Sequence, residues 1–196
     1  MPHAEALRAL LLADPVRLRI LHCLRALSLP DAWVAAGVLR SAVWDAAHGR
    51  VPEASFGDID VIWFDAARAE HEADAALEAA LHAMAPGLAW SVRKQARMHR
   101  RNNDAPYASA TDAMRFWPET ATAIAARLEA DDGISIAAPF GLEDLFAWAL
   151  RPTPAFSGAK RAIMEQRVLD KRWRERWPML RLASGEGWSG MPASPP

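Results

Sequence analysis

A chain of 196 residues, 52% hydrophobic and with a formal net charge of −1, is long enough for one packed domain and is not drawn as a whole to nucleic acid or an anionic membrane. Its single cysteine, Cys23, excludes an internal disulfide and suits a reducing compartment. No stretch nears the roughly 18 uninterrupted apolar residues of a membrane helix, and His3, Glu5, Arg8 and Asp14 interrupt any N-terminal leader, so the expected location is the cytoplasm with no membrane partner.

In chain order, helices are predicted over 3–13 and 15–28, with Asp14 capping the second and Pro15 opening it. The Leu12–Leu21 segment looks like the start of a winged-helix regulator. That reading needs a basic recognition helix shortly afterwards, and the chain instead runs through Leu29–Trp33 into a glycine turn. Val34 to Arg40 reads as a strand end, a turn at Gly37 and the start of a helix that stops at Gly49. A strand over Asp58–Phe64 follows, then an amphipathic helix over 67–84 that Pro86-Gly87 ends, and a strand over 88–95.

Residues 98–119 form a polar stretch with a short helix at 110–116. Two strands, 120–128 and 134–138, join across Asp131-Asp132-Gly133 as a hairpin. Helices at 141–150 and 159–176 close the pattern, and the tail from Ser184, rich in Gly, Ser and Pro, is expected to be flexible. Interleaved strands and helices plus an antiparallel hairpin make the class α+β, a mixed β-sheet with helices packed on it.

The chemistry concentrates at Asp58-Ile59-Asp60. Side chains two apart on a strand face the same way, roughly 6–7 Å apart. Two like charges in an apolar setting repel and are costly to bury unless a cation neutralises them. Hard oxygen ligands favour Mg²⁺ or Mn²⁺, and Mg²⁺ is usually held by one or two carboxylates plus the phosphates of a substrate. Asp-x-Asp is also common in turns and solvated loops. Upstream, Gly37 would let a phosphate approach, and the following helix offers free N–H groups to it.

The glycine turn, helix and Asp-hydrophobic-Asp strand resemble the signature of the DNA polymerase beta-like nucleotidyltransferase superfamily. More closely, Ala36–Asp45, Asp58–Asp65, Gln95–His99 and Ala138–Phe146 resemble a small bacterial nucleotidyltransferase-like family, over roughly residues 30 to 180. The resemblance implies a nucleotidyltransferase-like fold with residues 1–29 as N-terminal helices, 30–180 as the domain and 181–196 as a tail. It implies transfer of a nucleoside monophosphate from an NTP to an acceptor hydroxyl on a small molecule, RNA or protein. Asp58 and Asp60 would hold the metal and serve catalysis, and Gly37, Val38, Arg40, Arg97 and His99 would bind substrate.

Two departures favour an alternative, a catalytically inactive nucleotide- or RNA-binding module of the same fold. Val38 stands where the superfamily has Ser or Gly, and the strand 88–95 carries no third acid; Asp65, Glu119 and Asp144 are the other acids within reach of the fold. Strand alternation would put Arg93, Gln95 and Arg97 on one face, ready for a triphosphate, the alternative being a solvated loop. His99 is either a substrate contact or a polar bridge in the fold. Tyr107 offers a stacking face for a base or packs on the core beside Pro106. Trp44, Trp63, Trp90 and Trp148 read as core. Trp173 and Trp177, one helical turn apart, read as a docked aromatic face in preference to an RNA-binding stripe.

Overall fold

The computed structural model describes residues 2–51, 57–66, 72–102 and 104–183. The first five residues of the helix expected over 67–84 and the tail from Ser184 lie outside them. Helix α1 (Pro2–Leu12) is followed by α2 (Pro15–Ala26), which Asp14 starts: its Oδ1 accepts from Val16 N and Arg17 N at 2.9 and 3.0 Å. Strand β1 (Trp33–Ala35) leads directly into α3 (Gly37–Ala47). Then come β2 (Ile59–Trp63), α4 (Glu72–Met84) and β3 (Trp90–Lys94).

After β3 the expected strand gives way to a helix. Gln95 begins α5 (Gln95–Asn102), so Gln95 and Arg97 do not share a strand face with Arg93. Helix α6 (Ala110–Ala113), capped by Ser109, passes into a tight turn at Met114–Phe116. The hairpin forms as β4 (Ala125–Leu128) and β5 (Ile134–Ala137), although Thr120–Thr122, expected as strand, is a tight helical turn. Helix α7 (Glu143–Phe146) is shorter than expected because β6 (Ala149–Leu150) follows at once. Helix α8 (Arg161–Asp170) and α9 (Trp173–Arg176) replace the single helix expected over 159–176, and β7 (Arg181–Leu182) pairs in parallel with β6.

Five strands form a mixed sheet in the order β3-β2-β1-β4-β5, with β2 and β3 parallel and the other pairs antiparallel. One face buries Val34, Ile59, Val61, Trp63, Val92, Ala126 and Leu128 against the same core that takes Leu7, Leu11, Ile20, Leu21 and Leu24 from the first two helices. The other face carries Trp33, Ala35, Ile62 and Ala125 under Ala110, Met114 and Phe140. Period-two alternation therefore puts Asp60 on this second face, with Ile59 and Val61 turned into the main core.

Arg172 adopts a left-handed conformation, φ 52° and ψ 33°, which ends α8 and swings α9 back onto α3. Trp173 and Trp177 then meet Trp44 edge-on, with ring centroids 5.7 and 5.1 Å away, and Trp177 Nε1 donates to Asp45 Oδ1 at 2.7 Å. The aromatic face docks as the spacing predicts. Cys23 is buried, and no helix among the described residues is long and apolar enough to cross a membrane.

Candidate active site

Strand register builds the site. Asp60 pairs with Ala35 on β1 and with Ser91 on β3, and Ala35 pairs with Ala125 on β4, so the carboxylate is flanked across the sheet by small side chains on its own face. Ala35 immediately precedes the Ala36-Gly37 turn. The amide end of α3 is thereby set beside Asp60. Gly37 and Val38 open that helix, where backbone N–H groups have no carbonyl one turn back to donate to.

The backbone strain of the turn falls one residue before the expected glycine. Ala36 stands at φ 49° and ψ −104°, a region that glycine enters freely and a residue with a Cβ does not. Gly37 is the first helical residue. Ala36→Gly is accordingly expected to raise stability by about 1 kcal/mol, seen as a melting temperature about 2–4 °C higher. An unchanged or lowered value would mean that Ala36 is not strained in solution.

Asp58 and Asp60 differ in setting. Asp58 lies just ahead of the first residue of β2 and is exposed, so the expectation that both carboxylates sit on a buried strand holds only for Asp60, which is partly buried. The strand starts at Ile59 because Asp58 has no ladder partner. Burial pushes the Asp60 carboxyl above its ordinary value; the charge of Asp58 adds to the rise, while Arg40, Arg167 and Lys171 oppose it. Among the described residues, no three His, Cys, Asp or Glu side chains gather as a metal site. Glu119 is fully buried, taking a hydrogen bond from Thr122 Oγ1 at 2.7 Å, and Asp144 is held by Thr120 Oγ1 at 2.7 Å and Arg151 Nε at 2.9 Å.

Arg40, on the second turn of α3, stacks over the Trp173 ring with its guanidinium carbon 4.5 Å from the centroid. Its Nε is buried with no hydrogen-bond partner. Burial, with help from Arg167, pushes this guanidinium down to about 10, against the pull of Glu119 and Asp60. A desolvated cation of this kind favours an anionic ligand.

Arg97 and His99 are not drawn into this group. Arg97 lies on α5 and its guanidinium is paired with Asp74, which also accepts from Trp63 Nε1 at 2.9 Å and Lys94 N at 3.2 Å. Because Trp63 points into the main core, that pairing lies on the far side of β2 from Asp60. His99 packs edge-on against Tyr107, centroids 5.9 Å apart, and Tyr107 is buried against Phe116 with its hydroxyl donating to Asp104. Tyr107 is thus a core residue. Arg167 and Trp173, which stand beside Arg40, were not among the expected residues; the signal for them is tertiary, since α8 and α9 come up to Arg40 only by folding back.

An NMR structure described as revealing a CCA-adding enzyme head domain is 31% identical to this chain, with 92% of this chain and 95% of that one covered and a TM-score of 0.79. The Thermotoga maritima CCA-adding enzyme complexed with tRNA is 17% identical, with 90% of this chain and 42% of that one covered and a TM-score of 0.56. A CCA-adding enzyme with CTP gives 17% identity, 90% and 43% coverage, and a TM-score of 0.56. The chain therefore spans less than half the length of these two enzymes, and at that identity the likeness is one of fold. No curated protein matches it. A family model described as nucleotidyltransferase matches residues 22–182, from the middle of α2 to the end of β7, and so takes in the turn, the carboxylate strand and the whole sheet: the chain belongs to the nucleotidyltransferase family.

Proposed function

We propose that the chain moves a nucleoside monophosphate from a nucleoside triphosphate to an acceptor hydroxyl and releases pyrophosphate. The observation that carries this reading is the pairing of Asp60 with Ala35, which brings a partly buried carboxylate next to the amide end of α3. Asp58 and Asp60 fit a Mg²⁺ or Mn²⁺ ion, because burial is what chiefly raises the Asp60 carboxyl and a directly bound cation would offset that desolvation, and two carboxylates with substrate phosphates are a sufficient ligand set for Mg²⁺. When bound, such an ion polarises the phosphate and lowers the pKa of the attacking hydroxyl.

The remaining work falls to the chain. Gly37 N–H and Val38 N–H donate to phosphate oxygens, and Arg40 offsets the charge that grows on the departing pyrophosphate. Arg97 and His99 act at one remove in this reading: Arg97 secures the ends of β2 and β3 through Asp74, and His99 fixes α5 on Tyr107. Since the 31% identical relative is a CCA-adding enzyme head domain, an RNA 3′ hydroxyl is the first acceptor to try.

A second reading, nucleotide or RNA binding without turnover, is favoured by one observation: no third acid joins Asp58 and Asp60 among the described residues. Turnover separates the two. Incubation with each NTP, Mg²⁺ or Mn²⁺, and a panel of RNA ends, protein and small hydroxyl acceptors is expected to release pyrophosphate. Saturable nucleotide binding with no release across the panel would leave the binding module, and neither binding nor release would end both readings.

A further inference from the structure

Helix α8 carries cations that the reaction outlined above does not use. Arg167 and Lys171 are four residues apart and so share a side of the helix end. Arg167 lies over the same Trp173 ring as Arg40 of α3, which brings this helix up to the amide end of α3. With Ile163, Gln166 and Asp170, Arg167 and Lys171 line an open groove of about 580 Å³ along this one helix. In the groove wall Asp170 Oδ1 accepts from Gln166 Nε2 at 2.8 Å.

Arg167 is anchored rather than free to sweep. Its Nε lies 3.2 Å from Glu119 Oε1 as an ion pair without hydrogen-bond geometry, and Glu119 is completely buried and held through its other oxygen by Thr122. Its guanidinium carbon lies 5.4 Å from the Trp173 ring centroid, on the ring that Arg40 also covers. The Arg167 side chain is nevertheless 38% exposed, so the group is held from behind and open towards the groove. Glu119 neutralises one of these charges. Arg40 and Arg167 on one ring, with Lys171 beside Arg167, make a local cluster of positive charge in a chain of net charge −1, and such a cluster suits a polyanion.

We propose that α8 is the second wall of the triphosphate site, with Arg167 and Lys171 binding the β- and γ-phosphates and Glu119 acting as the positioning residue that holds Arg167. This rests on the transferase reading. It makes α8 responsible for preferring triphosphates over monophosphates, whereas the α3 amides and the two aspartates serve the α-phosphate.

The test is titration calorimetry of the full chain with Mg²⁺, using a non-hydrolysable nucleoside triphosphate analogue and the matching monophosphate. Arg167→Gln is expected to weaken the triphosphate roughly ten- to a hundredfold, as loss of a charged hydrogen bond does. The monophosphate should change less than about twofold by the same logic. Lys171→Gln, at an exposed position that does not threaten folding, is expected to weaken the triphosphate roughly two- to fivefold. Glu119→Gln should weaken it less than Arg167→Gln does, and add nothing in the double variant, because a positioning residue has no effect once its partner is gone. Equal losses for both ligands, or wild-type affinity in Arg167→Gln and Lys171→Gln while the wild type still releases pyrophosphate, would overturn this assignment alone. A wild type that binds no nucleotide would overturn it together with the transferase reading.

Discussion

Asp60→Asn is expected to lower pyrophosphate release at least about a hundredfold, the scale on which a single electrostatic contact to a transition state matters, and at the same time to make the apo protein more stable at neutral pH. The two effects share a cause. Burial holds the Asp60 carboxyl above its ordinary value, with Asp58 adding to the shift and Arg40, Arg167 and Lys171 only partly offsetting it. A carboxyl whose folded pKa exceeds its unfolded value binds a proton more readily when folded. Its stabilising contribution is therefore full below the unfolded value, about 3.9, and is lost as pH rises through the folded value. At pH 7 the ionised side chain is a cost that asparagine does not carry. The relief is read as a higher melting temperature for the variant at pH 7. The gap between variant and wild type should narrow as pH falls below the unfolded value, where the wild-type carboxyl is protonated in both the folded and the unfolded chain. Mg²⁺ should raise the wild-type melting temperature and leave the variant unmoved. Asp58→Asn, at an exposed position, should lose activity to a similar extent with little change in stability. An Asp60→Asn protein less stable than wild type at pH 7 would mean that the arginines already satisfy this carboxylate, and the metal assignment would go with it.

What could be read without coordinates followed from local chemistry. Asp14 and Pro15 start α2 by capping, Asp132-Gly133 joins the hairpin, and the alternation of Asp58 to Phe64 against Ile59 and Val61 identifies a strand with a polar face. Each is decided within a few residues. The passage from strand to helix around Gly37 was legible for the same reason. The misplaced features depend on distant partners. The polar run after Val92 carries no period that separates strand from helix, so Gln95 and Arg97 read as an extension of the strand and 98–102 as part of a polar stretch. Ala149–Leu150 is a strand because Arg181–Leu182 pairs with it, and a helix was expected there instead. Arg172 breaks the last helix with neither glycine nor proline to mark it. That break seats Trp173 beneath Arg40 and Arg167, and it is why this juxtaposition has no local signature. At Ala36 a residue poorly suited to the turn occupies the strained position, so the local signal falls on the neighbouring glycine.

Arg17→Met is expected to remove about 3–5 kcal/mol of stability, on the order of 10 °C in melting temperature, because it breaks a buried ion pair from one side. Arg17 is 1% exposed, and its partner Asp14 is buried as well. Desolvation lowers the guanidinium pKa, and the pairing with Asp14 works against that shift. The side chain also donates from Nε to Val38 O at 2.9 Å and from Nη2 to Ser41 Oγ at 3.0 Å, while Ser41 Oγ donates to Gly37 O at 2.7 Å. Methionine fills much of the volume and supplies none of these donors. It leaves the Asp14 carboxylate buried with only backbone donors, and it unties α2 from the first turn of α3. The double variant Asp14→Asn with Arg17→Met should recover much of the loss, since asparagine keeps the cap on Val16 and Arg17 while removing the stranded charge. Thermal melts of the single and double variants decide the matter: a single variant within about 1 kcal/mol of wild type, the range of an exposed pair, would mean that water reaches this cluster. Because the carbonyls of Gly37 and Val38 belong to the turn whose N–H groups receive phosphate in the proposed reaction, a double variant that regains stability yet binds nucleotide weakly would locate the function of Arg17 in setting that turn.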